Sequence, residues 1–227
     1  MQKPKPRVVP FATLFLALVL STSGQAHAQG VGVGLKAGST GAGLELTVGL
    51  SRSLNLRAGG QGFSVTQTRT EFDTSYDAKA KLASGMLLLD VQPSGKGFRV
   101  SAGAYYSKNE VTAVSNEDTV VTLDGVAYPV SLVGQVGGRV SADEICPYVG
   151  LGWGNAVGSG KRVRFAVDLG VFYQGRPTVT MTAEPKVPGS IPAKFYTDLE
   201  AERVRIEEDL KDYRLYPVVS IGLTVRL

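Results

Sequence analysis

Charged side chains of both signs interrupt apolar segments of this sequence at alternate positions. The clearest cases are Glu45, Arg99, Arg164, Asp168 and Arg226. Carboxylates and guanidinium groups that are buried together form salt bridges, and rows of such groups can also line a path for ions. We expect these five side chains to share one polar interior, with Lys36 and Arg57 beside them.

The residue inventory gives little support to catalysis. The only histidine is His27, near the amino terminus, and the only cysteine is Cys146. A chain cleaved after residue 28 has no imidazole, which excludes serine–histidine triads and histidine metal sites. Gly160-Lys161 lacks the rest of a phosphate-binding loop, and the scattered carboxylates lack EF-hand spacing. We expect no enzyme activity, no cofactor and no metal. Cys146 is best interpreted as a small buried or membrane-facing hydrophobic residue.

The amino terminus has the pattern of a secretory signal peptide. Three basic residues precede an apolar run at Val8–Leu20, and Ala26-His27-Ala28 forms a small-x-small cleavage site. We expect cleavage after Ala28, which leaves one domain at residues 29–227. The leader carries three of the 24 basic residues and none of the 20 acidic ones, so the mature chain has a formal charge of +1. The basic balance of the whole chain is therefore no argument for nucleic acid binding.

Apolar residues recur at every second position through most of the mature chain. In Val163–Gln174, for example, the apolar positions alternate with Arg164, Ala166, Asp168, Gly170, Phe172 and Gln174. This period predicts β-strands with one apolar face. Several of these runs are about ten residues long, which suits a tilted strand that crosses a bilayer. Eight strands are predicted, at roughly 31–37, 41–50, 54–67, 76–92, 98–112, 145–157, 163–182 and 213–227.

The connections between these strands alternate in length. Residues 51–53, 93–97 and 158–161 are tight polar turns. The other connections are the longer loops at 68–75, 113–144 and 183–212, together with a short first one at 38–40. Short turns that alternate with long loops are typical of outer-membrane barrels, which keep the turns in the periplasm. We therefore expect an all-β fold: an eight-stranded antiparallel up-and-down transmembrane β-barrel, with one helix in the last extracellular loop.

These features resemble the small bacterial outer-membrane β-barrels, a group that includes the outer-membrane protein A transmembrane domain and the opacity-like proteins. The resemblance rests on the signal peptide, the alternating strands, Pro147–Val157, Asp168–Pro177 and the terminal strand Tyr216–Leu227. The final residue of that family is usually aromatic, whereas this chain ends in Leu227. The resemblance implies a monomer in the outer membrane, in contact with its lipids and lipopolysaccharide and inserted by the barrel-assembly machinery.

Several local features refine the prediction. The alternation shifts near Gly59-Gly60, which indicates a β-bulge, and Met86–Leu89 is apolar on both faces, so its orientation stays open. Asp124-Gly125 predicts a hairpin that extends the sheet. Residues Thr197–Tyr213 predict a helix with a Thr197–Glu200 capping box. Aromatic residues near strand ends or on lipid faces are candidates for interfacial girdles: Phe98, Tyr106, Trp153, Phe165, Tyr173 and Tyr216.

Three functions fit these observations. The leading hypothesis is a non-enzymatic outer-membrane barrel whose lumen is filled by side chains and whose role is structural or in surface interactions. The second is a narrow, porin-like channel for small solutes. The third is a soluble periplasmic barrel of the lipocalin type, which requires an apolar interior and a polar exterior.

Overall fold

A computed structural model describes residues 30–71, 74–93, 97–116, 119–158, 162–185 and 191–227. The signal peptide expected at residues 1–28 lies outside the described residues, as do the centres of two predicted turns, at 94–96 and 159–161.

Thirteen strands and two helices occupy the described residues. The strands are β1 (Val31–Gly38), β2 (Gly41–Gly49), β3 (Leu54–Glu71), β4 (Thr74–Val91), β5 (Phe98–Ser107), β6 (Glu110–Ser115), β7 (Val120–Leu123), β8 (Val126–Pro129), β9 (Gln135–Ser141), β10 (Ile145–Trp153), β11 (Val163–Tyr173), β12 (Thr178–Glu184) and β13 (Leu215–Arg226). The helices are α1 (Val130–Val133) and α2 (Ala193–Leu210).

Eight of the strands close into an antiparallel barrel. Each of β1–β4 pairs with the next strand, β5 pairs with β10, β10 with β11, and β11 with β13. The terminal strand β13 then pairs with β1, from Gly32 opposite Arg226 to Gly38 opposite Ser220. This last pairing removes the sheet edges of the barrel, as the alternation of the carboxyl-terminal residues predicts.

The sheet continues beyond one end of the barrel. Residues 63–71 of β3 and 74–83 of β4 continue past the barrel rim. Strand β6 pairs with this part of β4, β9 pairs with β6, and β12 pairs with β9. We call these five strand segments the extension. The predicted fifth and seventh strands are therefore each divided in two, as β5 with β6 and β11 with β12. The sequence did not indicate β9, and residues 68–71 and 74–75 are strand rather than loop.

The bulge expected at Gly59-Gly60 is absent, and that prediction was wrong. Pairing of β3 with β2 and with β4 runs without a break through both glycines. The shift in alternation has a different cause. Phe63 and Val65 occupy the same face as the inward-pointing Arg57, but they lie towards the extension, where that face no longer lines the lumen.

A second hydrophobic core forms beyond the barrel, between α2, the β7–β8 hairpin and the extension. Its buried members are Leu123, Tyr128, Val133, Val136, Phe195 and Leu199. The hairpin turns at Asp124 and Gly125, both with left-handed φ values of 48° and 76°, as the Asp-Gly signal predicts. It forms its own two-stranded sheet and does not extend the main one.

Helix α2 starts earlier than predicted and without the expected capping box. Its N-cap is Pro192, whose side chain forms no cap. Thr197 lies one turn inside the helix and donates to the Ala193 carbonyl oxygen, while Glu200 pairs with Arg203 at 2.7 Å. The apolar contact of Phe195 with the hairpin decides where the helix begins, because packing outweighs local capping signals in a helix of this polarity.

The outer surface of the barrel is apolar. Outward-facing residues that are more than half exposed include Leu35, Leu44, Val149, Leu151, Trp153, Phe165, Leu169, Ile221 and Leu223. Among the described residues, no helix has the length and apolar character needed to cross a bilayer.

The contact between α2 and the hairpin is expected to depend on pH. The Asp198 carboxylate accepts hydrogen bonds from Lys194 Nζ at 2.6 Å and from the Tyr128 hydroxyl at 2.5 Å. These two donors hold the pKa of Asp198 below its ordinary value. A lowered pKa stabilises the docked state above the ordinary carboxyl pKa of about 4, and this contribution is lost as the pH falls further.

Hydrogen exchange of α2 should therefore accelerate, beyond its intrinsic pH dependence, only below about pH 4. Asp198→Asn should reduce this acid response without abolishing it, because the pKa values of Glu200 and Glu208 on the same helix are also lowered, by Arg203 and Lys211. Asp209→Asn, at an exposed position on the helix, should retain the full response. Equal acid responses in Asp198→Asn and the parent protein would contradict the assignment.

Candidate functional site: an ion-pair network in the barrel lumen

Six strands each place one charged side chain on the inner face of the barrel. The residues are Lys36 on β1, Glu45 on β2, Arg57 on β3, Asp90 on β4, Arg99 on β5 and Asp168 on β11. All six are buried, with between 1% and 7% of their surface exposed. The alternation of each strand decides this placement, because side chains at every second position face the lumen.

Asp168 has cations on three sides. Its carboxylate forms a close ion pair with Lys36, and it lies 2.6 Å from Arg99 Nη2 and 3.2 Å from Arg57 Nη1. The Ser220 hydroxyl donates to the same carboxylate at 3.4 Å. One carboxylate therefore links β1, β3, β5, β11 and β13.

Arg57 is the most extensively paired cation of the network and is 1% exposed. Its Nη1 lies 3.1 Å from Glu45 Oε2, and its Nε lies 2.6 Å from Asp90 Oδ2. The Ser101 hydroxyl donates to Asp90 at 2.6 Å and accepts from Arg57 Nη2 at 3.1 Å. The planar guanidinium group thus pairs with three carboxylates at once, which an ammonium group does less well.

The charges within the network balance, since three cations face three carboxylates. Burial of these groups carries a large desolvation cost, and pairing with good geometry is what offsets it. Lys36 also pairs with Glu45 at 3.0 Å, so each of the six groups has at least one opposite charge within 3.2 Å. Each of the three carboxylates of the network is therefore engaged in at least one ion pair.

Glycines on β10 create the space that the network occupies. A Cβ atom at Gly152 would lie 2.7 Å from Arg99 Nε and 2.7 Å from Asp168 Oδ1. Gly150 and Gly170 similarly leave room for the Tyr148 hydroxyl. Because Gly152 has no side chain, Arg99 on β5 and Asp168 on β11 can meet across β10.

Three of the five residues predicted to form the network lie together: Glu45, Arg99 and Asp168. Lys36 and Arg57 join them, as expected. Arg164 and Arg226 lie apart, near the short connection after β10. Arg226 Nη1 donates to the Gly158 carbonyl oxygen at 3.2 Å, and a Cβ atom at Gly158 would lie 2.7 Å from Arg164 Nη1. Both point inward, but their strand positions put them at the end of the barrel instead of its centre.

Asp90 belongs to the network, and the sequence interpretation missed it. The apolar run at Met86–Leu89 left the orientation of β4 open. In the structure Leu88 and Met86 face inward with Asp90, while Leu87 and Leu89 face outward. Asp90 is the one charge next to this run, and a charge disfavours the lipid face. The charge of Asp90 therefore indicated that Asp90, together with Met86 and Leu88 at alternate positions, faces the lumen.

An apolar and aromatic cluster fills the lumen on the side of the extension. Its buried members are Met86, Leu88, Tyr105, Cys146, Tyr148, Phe172 and Val218. Tyr216 stacks on Phe172 with ring centres 4.8 Å apart and donates to the Ser39 carbonyl oxygen at 2.6 Å. The expectation that Tyr216 belongs to an interfacial girdle was therefore wrong, because its strand position turns it inward.

A small cavity lies on the opposite side of the network. Its volume is about 10 Å³, and its lining includes Glu45, Asn55, Arg57, Asp90 and Gln92. This is room for about one water molecule. Gln92 accepts from Asn155 Nδ2 at 2.6 Å, while its own amide nitrogen has no partner among the described residues.

The fold is similar to two crystal structures of proteins from Acinetobacter baumannii. CarO2 aligns with a TM-score of 0.57 and 22% identity, over 87% of this chain and 98% of CarO2. CarO aligns with a TM-score of 0.55 and 21% identity, over 86% of this chain and 97% of CarO. No protein-family model matches the sequence, and no curated protein sequence matches it. At this level of identity the comparison establishes the fold: a closed, eight-stranded antiparallel β-barrel.

Removal of the central carboxylate should destabilise the barrel strongly. Asp168→Asn leaves three cations facing two carboxylates, and loss of one partner from a buried ion pair costs roughly 3–5 kcal/mol. The free energy of unfolding in urea, measured in lipid vesicles, reports this loss. Asp212→Asn, at an exposed position, should change it by no more than about 0.5 kcal/mol.

The double variant Lys36→Met/Asp168→Asn restores the balance of charge, so its destabilisation should be smaller than the sum of the two single effects. Similar unfolding free energies for Asp168→Asn and Asp212→Asn would show that the network contributes little to stability.

Proposed function

We propose that this protein is an integral outer-membrane β-barrel without enzymatic activity, whose filled lumen has a structural role and whose extension takes part in surface interactions. The observation that carries this proposal is the polarity of the barrel: the exterior is apolar and the interior contains paired charges. A barrel in lipid needs an apolar exterior and tolerates a polar interior. A soluble lipocalin-type barrel needs the reverse, so this polarity disfavours the periplasmic ligand binder.

The comparisons and the leader sequence support the outer membrane as the location. The fold shared with the two CarO structures is that of a closed barrel, and the amino-terminal pattern is that of an exported chain. The same features support membership of the group of small outer-membrane barrels. As the resemblance implies, we also propose that the protein is a monomer, is inserted by the barrel-assembly machinery and contacts outer-membrane lipids and lipopolysaccharide. No feature of the fold favours nucleic acid as a partner.

The connections support an orientation with the extension outside the cell. Residues 51–53 form a short connection at the end of the barrel where β1 begins and β13 ends. The extension, the hairpin and α2 all lie at the opposite end. Short turns of outer-membrane barrels lie in the periplasm and their long loops lie outside. The extension with its own hydrophobic core would then be the part of the protein available to surface partners.

The packing of the lumen supports a barrel without an open channel. The aromatic cluster, the ion-pair network and the cavity of about 10 Å³ follow one another along the barrel axis. A barrel of eight strands leaves space for side chains but not for a wide channel. A narrow pore would need a continuous file of water through both filled layers.

Purified protein in planar lipid bilayers should give no steady ion conductance, under conditions in which a reference porin gives regular current steps. The physical reason is that the inward side chains exclude water from the middle of the barrel. Large, reproducible single-channel steps from this protein would favour the pore instead. Cell fractionation tests the location independently, since recovery in the soluble periplasmic fraction without detergent would exclude both membrane functions.

An arginine at the middle of the apolar exterior should be costly only if that surface faces lipid. Leu169→Arg should lower the free energy of unfolding in vesicles by roughly 2–4 kcal/mol, as expected near the bilayer midplane. Leu215→Arg, which lies on the same outer face at the end of β13 beside the extension, should cost about 0–1 kcal/mol. Leu169 and Leu215 are similarly exposed, at 55% and 60%, so equal costs would place the exterior in water.

A further inference from the structure

Lysines replace apolar residues on the outer face of β4 where this strand leaves the barrel. The outward-facing residues near the end of β4 are apolar: Val91, Leu89 and Leu87, which are 41–54% exposed. Towards the extension, the next outward positions are the small residues Gly85 and Ala83, followed by Lys81 and Lys79. Both lysines are exposed, and neither forms an ion pair within the described residues. Two uncommitted cations therefore continue the row of apolar side chains.

The neighbouring strand repeats this change of character. Tyr106, at the end of the outward row of β5, is followed by the outward-facing Lys108. The Lys108 ammonium lies 5.4 Å from the centre of the Tyr106 ring, and its backbone N–H donates to the Ala83 carbonyl oxygen at 2.7 Å. Lys108 thus lies beside the β4 row, close to the level at which an interfacial tyrosine meets lipid headgroups.

The acidic residues on this face do not neutralise the three lysines, which can therefore pair with an external anion. Glu110 lies opposite Lys81 in the register, but its carboxylate pairs with Arg139 at 3.3 Å. Asp77 is the next outward residue beyond Lys79 and accepts a hydrogen bond from Thr68 at 2.7 Å. Glu144 lies near Lys108 and is exposed. This face therefore has three carboxylates, of which Glu110 and Asp77 already have partners. Its four cations are Lys79, Lys81, Lys108 and Arg139.

We propose that Lys79, Lys81 and Lys108 bind the phosphates of a phosphorylated glycolipid in the outer leaflet, whose acyl chains lie on the apolar face below. This inference rests on the outer-membrane location proposed above. Lys81 is four residues beyond Gly85, the partner of Tyr106, which is about 13 Å along the strand. The cations therefore extend over the depth of a sugar headgroup with several phosphates. The acyl chains of the glycolipid would contact the apolar row of Leu87, Leu89 and Val91 beneath them.

Binding of purified protein in nanodiscs to bisphosphorylated lipid A, compared with dephosphorylated lipid A, tests the inference. Each lysine removed near an anionic lipid surface should weaken binding about fivefold, so Lys79→Gln/Lys81→Gln should weaken it about 25-fold. Adding Lys108→Gln should weaken it further, and Lys79→Arg/Lys81→Arg should retain it. The control Arg205→Gln/Lys211→Gln removes the same charge from α2 and the residue after it, and should have no effect.

Three outcomes would overturn the inference. They are unchanged lipid A binding by the lysine variants, equal binding of dephosphorylated lipid A, and complete competition by millimolar inorganic phosphate, which would indicate a site for a free anion. Each of these leaves the location in the outer membrane intact. Recovery of the protein in the soluble fraction would instead contradict the proposed function itself, so the two failures are distinguishable.

Discussion

Six buried charges neutralise one another inside the barrel, and they can meet only in the closed sheet. Lys36, Arg57 and Arg99 have no other carboxylates within reach than Glu45, Asp90 and Asp168, among the described residues. Each comes from a different strand, so the pairs form only when the barrel closes in one register. A slip of one residue would turn a charge towards the exterior and leave its partner unpaired. Barrel closure and charge pairing are therefore one cooperative event.

The network also explains the unusual distribution of small residues on β10. Long cationic side chains in a lumen of eight strands need space that side chains on the facing strand would otherwise fill. Gly152 supplies that space beside Arg99, and Gly150 and Gly170 leave room for Tyr148. The aromatic cluster then closes the lumen on the side of the extension. The same packing that satisfies the charges thus leaves little volume for a solute.

The extension gives the protein a second layer of structure that the barrel does not require. Two barrel strands continue past the rim, and three shorter strands join them, so the sheet beyond the barrel has five strands. Helix α2 and the β7–β8 hairpin cover one part of it and bury Phe195, Leu199 and Tyr128. On the outer face of the same sheet, apolar side chains change to lysines along β4. The rim on this side therefore combines a rigid sheet with a change from apolar to cationic character.

The sequence determined the features that depend on neighbours along the chain. Alternation predicted the eight barrel strands and the inward positions of Glu45, Arg99 and Asp168, because side-chain direction in a strand follows directly from position. The Asp124-Gly125 pair predicted its hairpin, since both residues adopt left-handed φ values at little cost.

Only the tertiary structure decided the features that depend on distance across the barrel. Arg164 and Arg226 have the same inward direction as Arg99, yet the height at which their strands pair puts them at the barrel end. Asp90 was hidden in an apolar run, β9 lay in a segment predicted as loop, and packing against the hairpin moved the start of α2 to Ala193. Alternation specifies which face a residue occupies, whereas strand stagger and packing decide which residues from different strands meet.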